Sequence, residues 1–369
     1  MPLSAVDCIQ PAFQHVRDQL FRPFRFGQWS RLALVGFLAA ELHTSGCNFN
    51  TFNIPVPQHP RHGQEFLAAR SPFPDIDPAR IAQFAGLIAA VILLAIILFF
   101  VFLYLNSVFR FILFDSVIRK HCSISEGWAR WHRAGRRYFL WQIVLLIASG
   151  LFLGVLIGVP LAVAAALGWF QDVGQHIGRT VLGVILLIGL LVVFTLLAVV
   201  VQLLAKDFLV PIMALEDVDF ADGWSRLLAM IRPEPGKYAV YLLLKIALAI
   251  GAGILFSIVA LIPSLLVVVP AVLAVFAGYK AGLGWNVTTI SLAIVFGFML
   301  LLALLYVVAF VCAPATVFFP AFSIYFLASR YPRLDALLHP PAPVLETPPA
   351  PASPPPEPPL LPPSPAPIG

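Results

Sequence analysis

The sequence predicts an all-α, polytopic helical membrane protein with six transmembrane helices, amphipathic cytoplasmic surface helices and an internal repeat. Three observations carry that expectation. Hydrophobic residues make up 60% of the chain, charged residues only 11%, and mean hydropathy is +0.93; soluble domains carry about 25% charged residues. From residue 81 onward, nearly uncharged stretches recur that exceed the roughly 18 residues marking a membrane helix. Third, one pattern occurs twice. Gly127-Trp128-Ala129-Arg130 leads to Arg136-Arg137-Tyr138 and an apolar run; Gly223-Trp224-Ser225-Arg226 leads to Gly236-Lys237-Tyr238 and another. The offset is 96 residues at the Gly-Trp pair and 100 at the tyrosine, since the second copy carries four extra residues around Pro233 and Pro235. Such a repeat sets the architecture. Its unit reads as outbound helix, surface helix, return helix.

The chain divides into an amphipathic N-terminal interfacial segment (1–28), a membrane domain (29–330) and a Pro-rich tail (331–369). Repeat units cover about 81–170 and 180–277, with a partial third from 288. Arg17, Arg22, Arg25 and Asp18 interrupt the N-terminus, which has no apolar core or cleavage motif of a signal peptide. In residues 8–26, Ile9, Phe13, Val16, Leu20 and Phe24 recur at helical spacing. This suits a helix in the cytoplasmic interface or one packed on the protein's own underside.

Trp29 to His43 is the first membrane segment, and it is short. Fifteen residues rise about 22 Å against a hydrocarbon core of about 30 Å. It must extend into its flanks, thin the bilayer or be re-entrant; spanning is the reading taken. Residues 44–80 are polar and Pro-broken, which predicts an external loop. His43, Cys47, His59 and His62 match no compact metal site. The second span, from about Ile81 to Asn106, continues into Phe109–Ile118. Ser123 and Glu126 then form a capping-box signature that starts a surface helix. Ile124, Trp128 and Trp131 share one face of it, with Arg130, Arg133, Arg136 and Arg137 on or just past it.

Tyr138–Phe170 is the third span, interrupted by Pro160. Its Gly150, Gly154 and Gly158 lie on one face, where a neighbouring backbone can approach closely; packing within the chain is the expected use. Thr180–Ala205 is the fourth span. Asp219 then caps a second surface helix, with Phe220, Trp224, Leu227, Leu228 and Ile231 in a stripe of period 3.6. Lys237–Phe276, with Pro263, and Thr288–Cys312 complete the six. Val317-Phe318-Phe319-Pro320 echoes Phe208-Leu209-Val210-Pro211 a third time. Fifteen prolines between 340 and 367 predict an extended, disordered tail.

With both termini inside, the cytoplasmic segments hold seventeen of the 23 Lys and Arg, and the outer segments five. That is the positive-inside bias, and it predicts a multi-pass protein of the cell (cytoplasmic/inner) membrane. Splitting the long runs at Pro160 and Pro263 would put the two surface helices on opposite sides, so that topology is rejected. The net charge of +5 follows the membrane and does not imply nucleic acid. Four scattered cysteines without C-x-x-C spacing argue against a disulfide framework or thiolate zinc site.

Little chemistry is on offer. There is no phosphate-binding loop, nucleophile elbow or zinc-protease motif. No catalytic residue, metal or cofactor is expected. Ionisable residues inside spans are functional candidates by default. They are Glu41, near the outer end of the first span, Lys245 in the fifth, and Asp115 and Asp207 at the inner ends of the second and fourth. Structural roles compete: Lys245 snorkelling inward, Glu41 reaching the outer headgroups, and both aspartates holding the elbows through backbone N–H groups. Gln142, Gln202, Asn106 and Thr195 are the other polar groups, too few for an evident relay. Trp128, Trp224, Tyr138 and Tyr238 read as interfacial anchors.

Leu20-Phe21-Arg22-Pro23-Phe24, Gly27-Gln28-Trp29 and Phe111-Ile112-Leu113-Phe114-Asp115, with the paired Gly-Trp helices, resemble an uncharacterised family of prokaryotic polytopic membrane proteins. That family is itself similar to the membrane domain of some glycerophosphodiester phosphodiesterases. The resemblance covers about residues 10–330 and implies a six-helix domain of unknown activity without the catalytic barrel. The expected function is non-enzymatic: a membrane scaffold organising lipids or a membrane-protein partner. The alternative is a transporter or its accessory subunit. A polar-lined cavity reached by Glu41 or Lys245 favours transport, and a dry packed bundle favours the scaffold.

Overall fold

The computed structural model describes residues 3–41, 78–166, 168, 177–280 and 286–339. Most of the expected external loop, with its histidines, and the tail from residue 340 lie outside them. The described chain runs α1 (Ile9–Leu20), α2 (Phe26–Leu38), α3 (Pro78–Ile118), α4 (Ile124–Ala166) and α5 (Ile177–Leu204). A π-helical turn (Ala205–Leu209) leads into α6 (Val210–Glu216), α7 (Phe220–Ile231) and α8 (Pro235–Lys280). Last come α9 (Val287–Val311), α10 (Ala313–Ala328) and α11 (Pro332–Leu338). Outside these helices, the described pairing is an isolated bridge between Phe21 and Phe24.

Five helical segments among the described residues are long and apolar enough to cross a membrane: Ile88–Ile118, Ile124–Ala166, Thr180–Glu216, Pro235–Gly278 and Thr288–Val311. Such a set marks a multi-pass membrane protein. At 43 and 46 residues, α4 and α8 rise about 65 and 70 Å, roughly twice the hydrocarbon thickness. Each therefore has two parts. The outer parts are apolar on every side and stand open, as Leu93, Leu186, Leu266 and Ile294 do. The inner parts pack with α1, α2, α7, α10 and α11 into a base whose core holds Leu32, Ile112, Phe208, Tyr241, Phe322 and Phe326.

Pro160, Pro263 and Pro270 sit inside α4 and α8 without breaking them, as membrane helices tolerate. The elbows differ from expectation. In the first unit no separate surface helix forms: α4 runs unbroken from Ile124 and packs antiparallel on α3. Gly135 permits this, because a Cβ there would lie 2.9 Å from the Val108 backbone. In the second unit Pro233 disfavours helix at Arg232 and Pro235 opens a fresh one, so α7 stands apart from α8. Asp219 sits at the N-cap of α7 but makes no cap hydrogen bond; with Asp217 it pairs to Arg137 of α4 instead.

For α1, the structure selects the protein's own underside, with Ala12, His15, Val16, Gln19 and Leu20 buried and α10 as the neighbour. The spanning reading of residues 29–43 is corrected. Thirteen residues long, α2 begins where Trp29 Nε1 donates to Phe310 O (2.8 Å), at the inner end of α9. Its far end brings Glu41 to Lys206, just past α5. Both ends thus sit at the base, and Gly36 lets α2 close on α10 at Thr316. The expected use of Gly150, Gly154 and Gly158 also fails: a Cβ on any of them would meet nothing within 4 Å. Spacing created the smooth face, but among the described residues no helix lies against it.

Candidate functional site

Lys206 and Asp207 are neighbours in the π-helical turn, so their side chains leave different faces of the helix. Lys206 therefore turns to α2 and meets Glu41 at 2.5 Å, while Asp207 turns to α8. There Tyr241 and Lys245 stand four residues apart on one face. Lys245 Nζ donates to both carboxylate oxygens at 2.5 Å, and Tyr241 Oη donates to Oδ2 at 3.0 Å. All four charged side chains are at most 5% exposed. A wall of α10 aromatics closes the site. Phe322 and Phe326 stack on Tyr241 at 5.1 and 4.6 Å, and Phe319 lies 6.0 Å from Lys245 Nζ.

A fifth charge, Arg110 of α3, stands beside these pairs. Its Nη1 donates to Tyr138 Oη at 2.7 Å, and its Nε is buried without a partner among the described residues. A cavity of about 30 Å³ lies between Glu41, Arg110, Lys206, Asp207 and Ser323, room for a single water. A second, of about 400 Å³, runs along α5 and shares Arg110 and Lys206 as lining. Arg110, Lys206 and Lys245 lie eight to ten residues in from the inner ends of their segments, or about 12–15 Å. That is the level where packed base gives way to open apolar helix.

The expected candidates divide. Glu41, Asp207 and Lys245 come together, so Lys245 does not snorkel, Glu41 does not reach the outer face, and Asp207 binds side chains rather than an elbow backbone. Asp115 stays apart, paired to Arg119 at 2.8 Å and Arg130 at 3.2 Å on the base surface. Two of the four expected anchors, the tyrosines, are likewise corrected. Tyr138 and Tyr238 are fully buried, edge-on to Phe111 and Phe208. Trp128 and Trp224 are half-buried against Phe109 and Trp141. One side of each ring packs on the core and the other is exposed.

Sequence reading missed Lys206 and Arg110 by taking both for loop charges. A usable signal existed: Lys206-Asp207 interrupts an otherwise apolar run from Leu203 to Met213.

Elsewhere, burial pushes the Cys8 thiol up to about 11 and also raises that of Cys122. Both are therefore poor nucleophiles at neutral pH. Among the described residues, no three His, Cys, Asp or Glu gather as a metal site.

Fold and site together define a multi-pass helical membrane protein with a buried, ion-paired base. The chain belongs to DUF7544, a family of unknown function, whose profile matches residues 3–337. No curated protein and no solved structure matches it. These comparisons give no support to a likeness with glycerophosphodiester phosphodiesterase membrane domains.

Proposed function

We propose that this chain is a non-enzymatic integral domain of the cell membrane that organises lipids or a membrane-protein partner around its base. One observation carries the reading. Ionisable side chains gather at the inner level, while the described outer parts of the five long helices are apolar and uncovered. A transport path needs polar groups along its length, and lipid-facing surface needs none.

The proposed topology has six crossings and cytoplasmic termini. Arg330 Nη2 donates to Leu3 O at 3.3 Å, so both ends of the described chain share one face. An even number of crossings follows, and five long helices account for five. Glu41 lies in the base, whereas Pro78 begins α3 about 50 Å from the level of Leu113. Duplication of the helical unit belongs to the same proposal. Gly127 faces Ile112 as Gly223 faces Leu209. The Phe111–Tyr138 and Phe208–Tyr238 rings both cross at 81°.

Transport is kept as a second reading because of the two cavities beside Glu41, Arg110 and Lys206. Proteoliposomes loaded with a pH- or ion-sensitive dye separate the two. The organising role predicts leak no greater than in empty liposomes. A protein-dependent flux abolished by D207N would replace it with transport.

A further inference from the structure

The cavity of about 400 Å³ along α5 has a ligand-sized volume and a mostly apolar lining, with Thr195 and Gln202 as polar groups between its ends. Phe194, Ala198 and Leu203 form its apolar flank, and Arg110 and Lys206 close its inner end. Outward from Lys206, this face of α5 climbs towards the middle of the bilayer.

Among the described residues, the inner end holds three cations, Arg110, Lys206 and Lys245, and two carboxylates, Glu41 and Asp207. Glu41 is committed to Lys206 and Asp207 to Lys245. Among the described residues, Arg110 donates to the neutral Tyr138 hydroxyl and stands over its ring, and its buried Nε has no acceptor. A guanidinium held at this depth without a counter-anion is costly. It is also five donors in a fork that suits phosphate and carboxylate oxygens. Basic pockets between membrane helices on the cytoplasmic side bind anionic lipid headgroups by the same balance of charges.

We propose that this groove binds one anionic amphiphile, a phospholipid. The phosphate accepts from Arg110 beside Lys206, and an acyl chain lies along Phe194, Ala198 and Leu203. The inference rests on the lipid-organising reading above and names its ligand class. The shared chemistry is an anionic head on an apolar chain, so a free fatty acid is the other source to be distinguished.

The test uses the purified full-length chain in detergent, with lipid retention read by native mass spectrometry. Phosphatidylglycerol and phosphatidylcholine are added as an equimolar pair. The wild type is expected to retain phosphatidylglycerol preferentially. R110Q should lower that preference about tenfold, the scale of one charge-assisted hydrogen bond. A198F fills the groove without touching a charge and should lower retention comparably, so the test survives if R110Q folds poorly. Palmitate that displaces phosphatidylglycerol assigns the site to a fatty-acid carboxylate and overturns the phospholipid; failure to displace it supports the phospholipid. Displacement by inorganic phosphate alone overturns the acyl-chain part. Equal preference in wild type, R110Q and A198F overturns the whole. A D207N-sensitive flux would defeat the organising reading while leaving this lipid preference intact, so the two failures are distinguishable.

Discussion

Lys245 Nζ lies 2.5 Å from the Asp207 carboxylate, and both side chains are at most 3% exposed. The pair fastens α8 to the π-helical turn beneath two helices whose outer parts have little to hold them together. Removing one partner strands a buried charge, at a cost of about 3–5 kcal/mol. K245A and D207A should therefore each lower the unfolding midpoint in detergent sharply. The double variant D207L/K245M strands no charge and should recover at least half of the loss. Strictly additive losses in a double-mutant cycle would show that the pair is not coupled.

Glycines separate close packing from mere pattern. G135A pushes a methyl into the Val108 backbone 2.9 Å away and should destabilise the α3–α4 hairpin by about 1–3 kcal/mol. G150A, G154A and G158A meet open space and should leave stability unchanged or raise it by up to about 1 kcal/mol each through helix propensity. Denaturant unfolding in one detergent ranks the four. A loss at 150, 154 and 158 equal to that at 135 would reveal a partner surface there.

His15 ties α1 to the base, with Nε2 2.9 Å from Val117 O and Nδ1 3.3 Å from Tyr325 Oη. A neutral ring donating to the carbonyl and accepting from the hydroxyl satisfies both. Burial lowers its pKa below 6.5, Lys120 adds to that, and the Val117 carbonyl, Gln19 and Asp18 oppose it. The unfolded chain thus takes up a proton that the folded chain resists. Stability from this group is complete above about pH 6.5 and falls as pH drops towards the folded pKa. Hydrogen exchange in Ile9–Leu20, corrected for intrinsic rates, should quicken between about pH 7.5 and 5.5. H15Q should flatten that dependence; an unchanged slope would place the titrating group elsewhere.

Trp128 and Trp224 pack in the base, against Tyr104 and Phe109 and against Trp141. W128A and W224A should each cost about 2–4 kcal/mol, somewhat below a fully buried aromatic because both rings are half-exposed. Thermal unfolding in detergent checks this. Wild-type stability in both would return them to the lipid interface.

The helical class and the long segments were legible because hydropathy reports them directly, through Pro160 and Pro263 included. Glu41, Asp207 and Lys245 were legible one by one, since a lone charge in an apolar run stands out. Their pairing was not. Glu41 and Lys206 are far apart in sequence, and Lys206 directly follows the apolar run from Thr180 to Ala205, where it resembles a loop cation. Only the π-helical turn, which continues the helix to Glu216, carries it into the base. Tyr138 and Tyr238 misled for a related reason: an aromatic beside a basic cluster has the same sequence whether it faces lipid or Phe111 and Phe208. The short span at 29–43 was marked by its length, but its fold back to the base depends on contacts with α9 and α10 that no local pattern records.

Cysteine labelling of sealed, right-side-out vesicles with a membrane-impermeant maleimide tests the topology most directly. Cys47→Ser provides the background, the other cysteines being buried. S125C and S225C, exposed on the two elbows, should both stay unlabelled until the vesicles are opened. G178C, at the far end of α5, should label at once. Labelling of S125C and S225C from opposite sides would contradict the six-crossing account and the duplicated base beneath it.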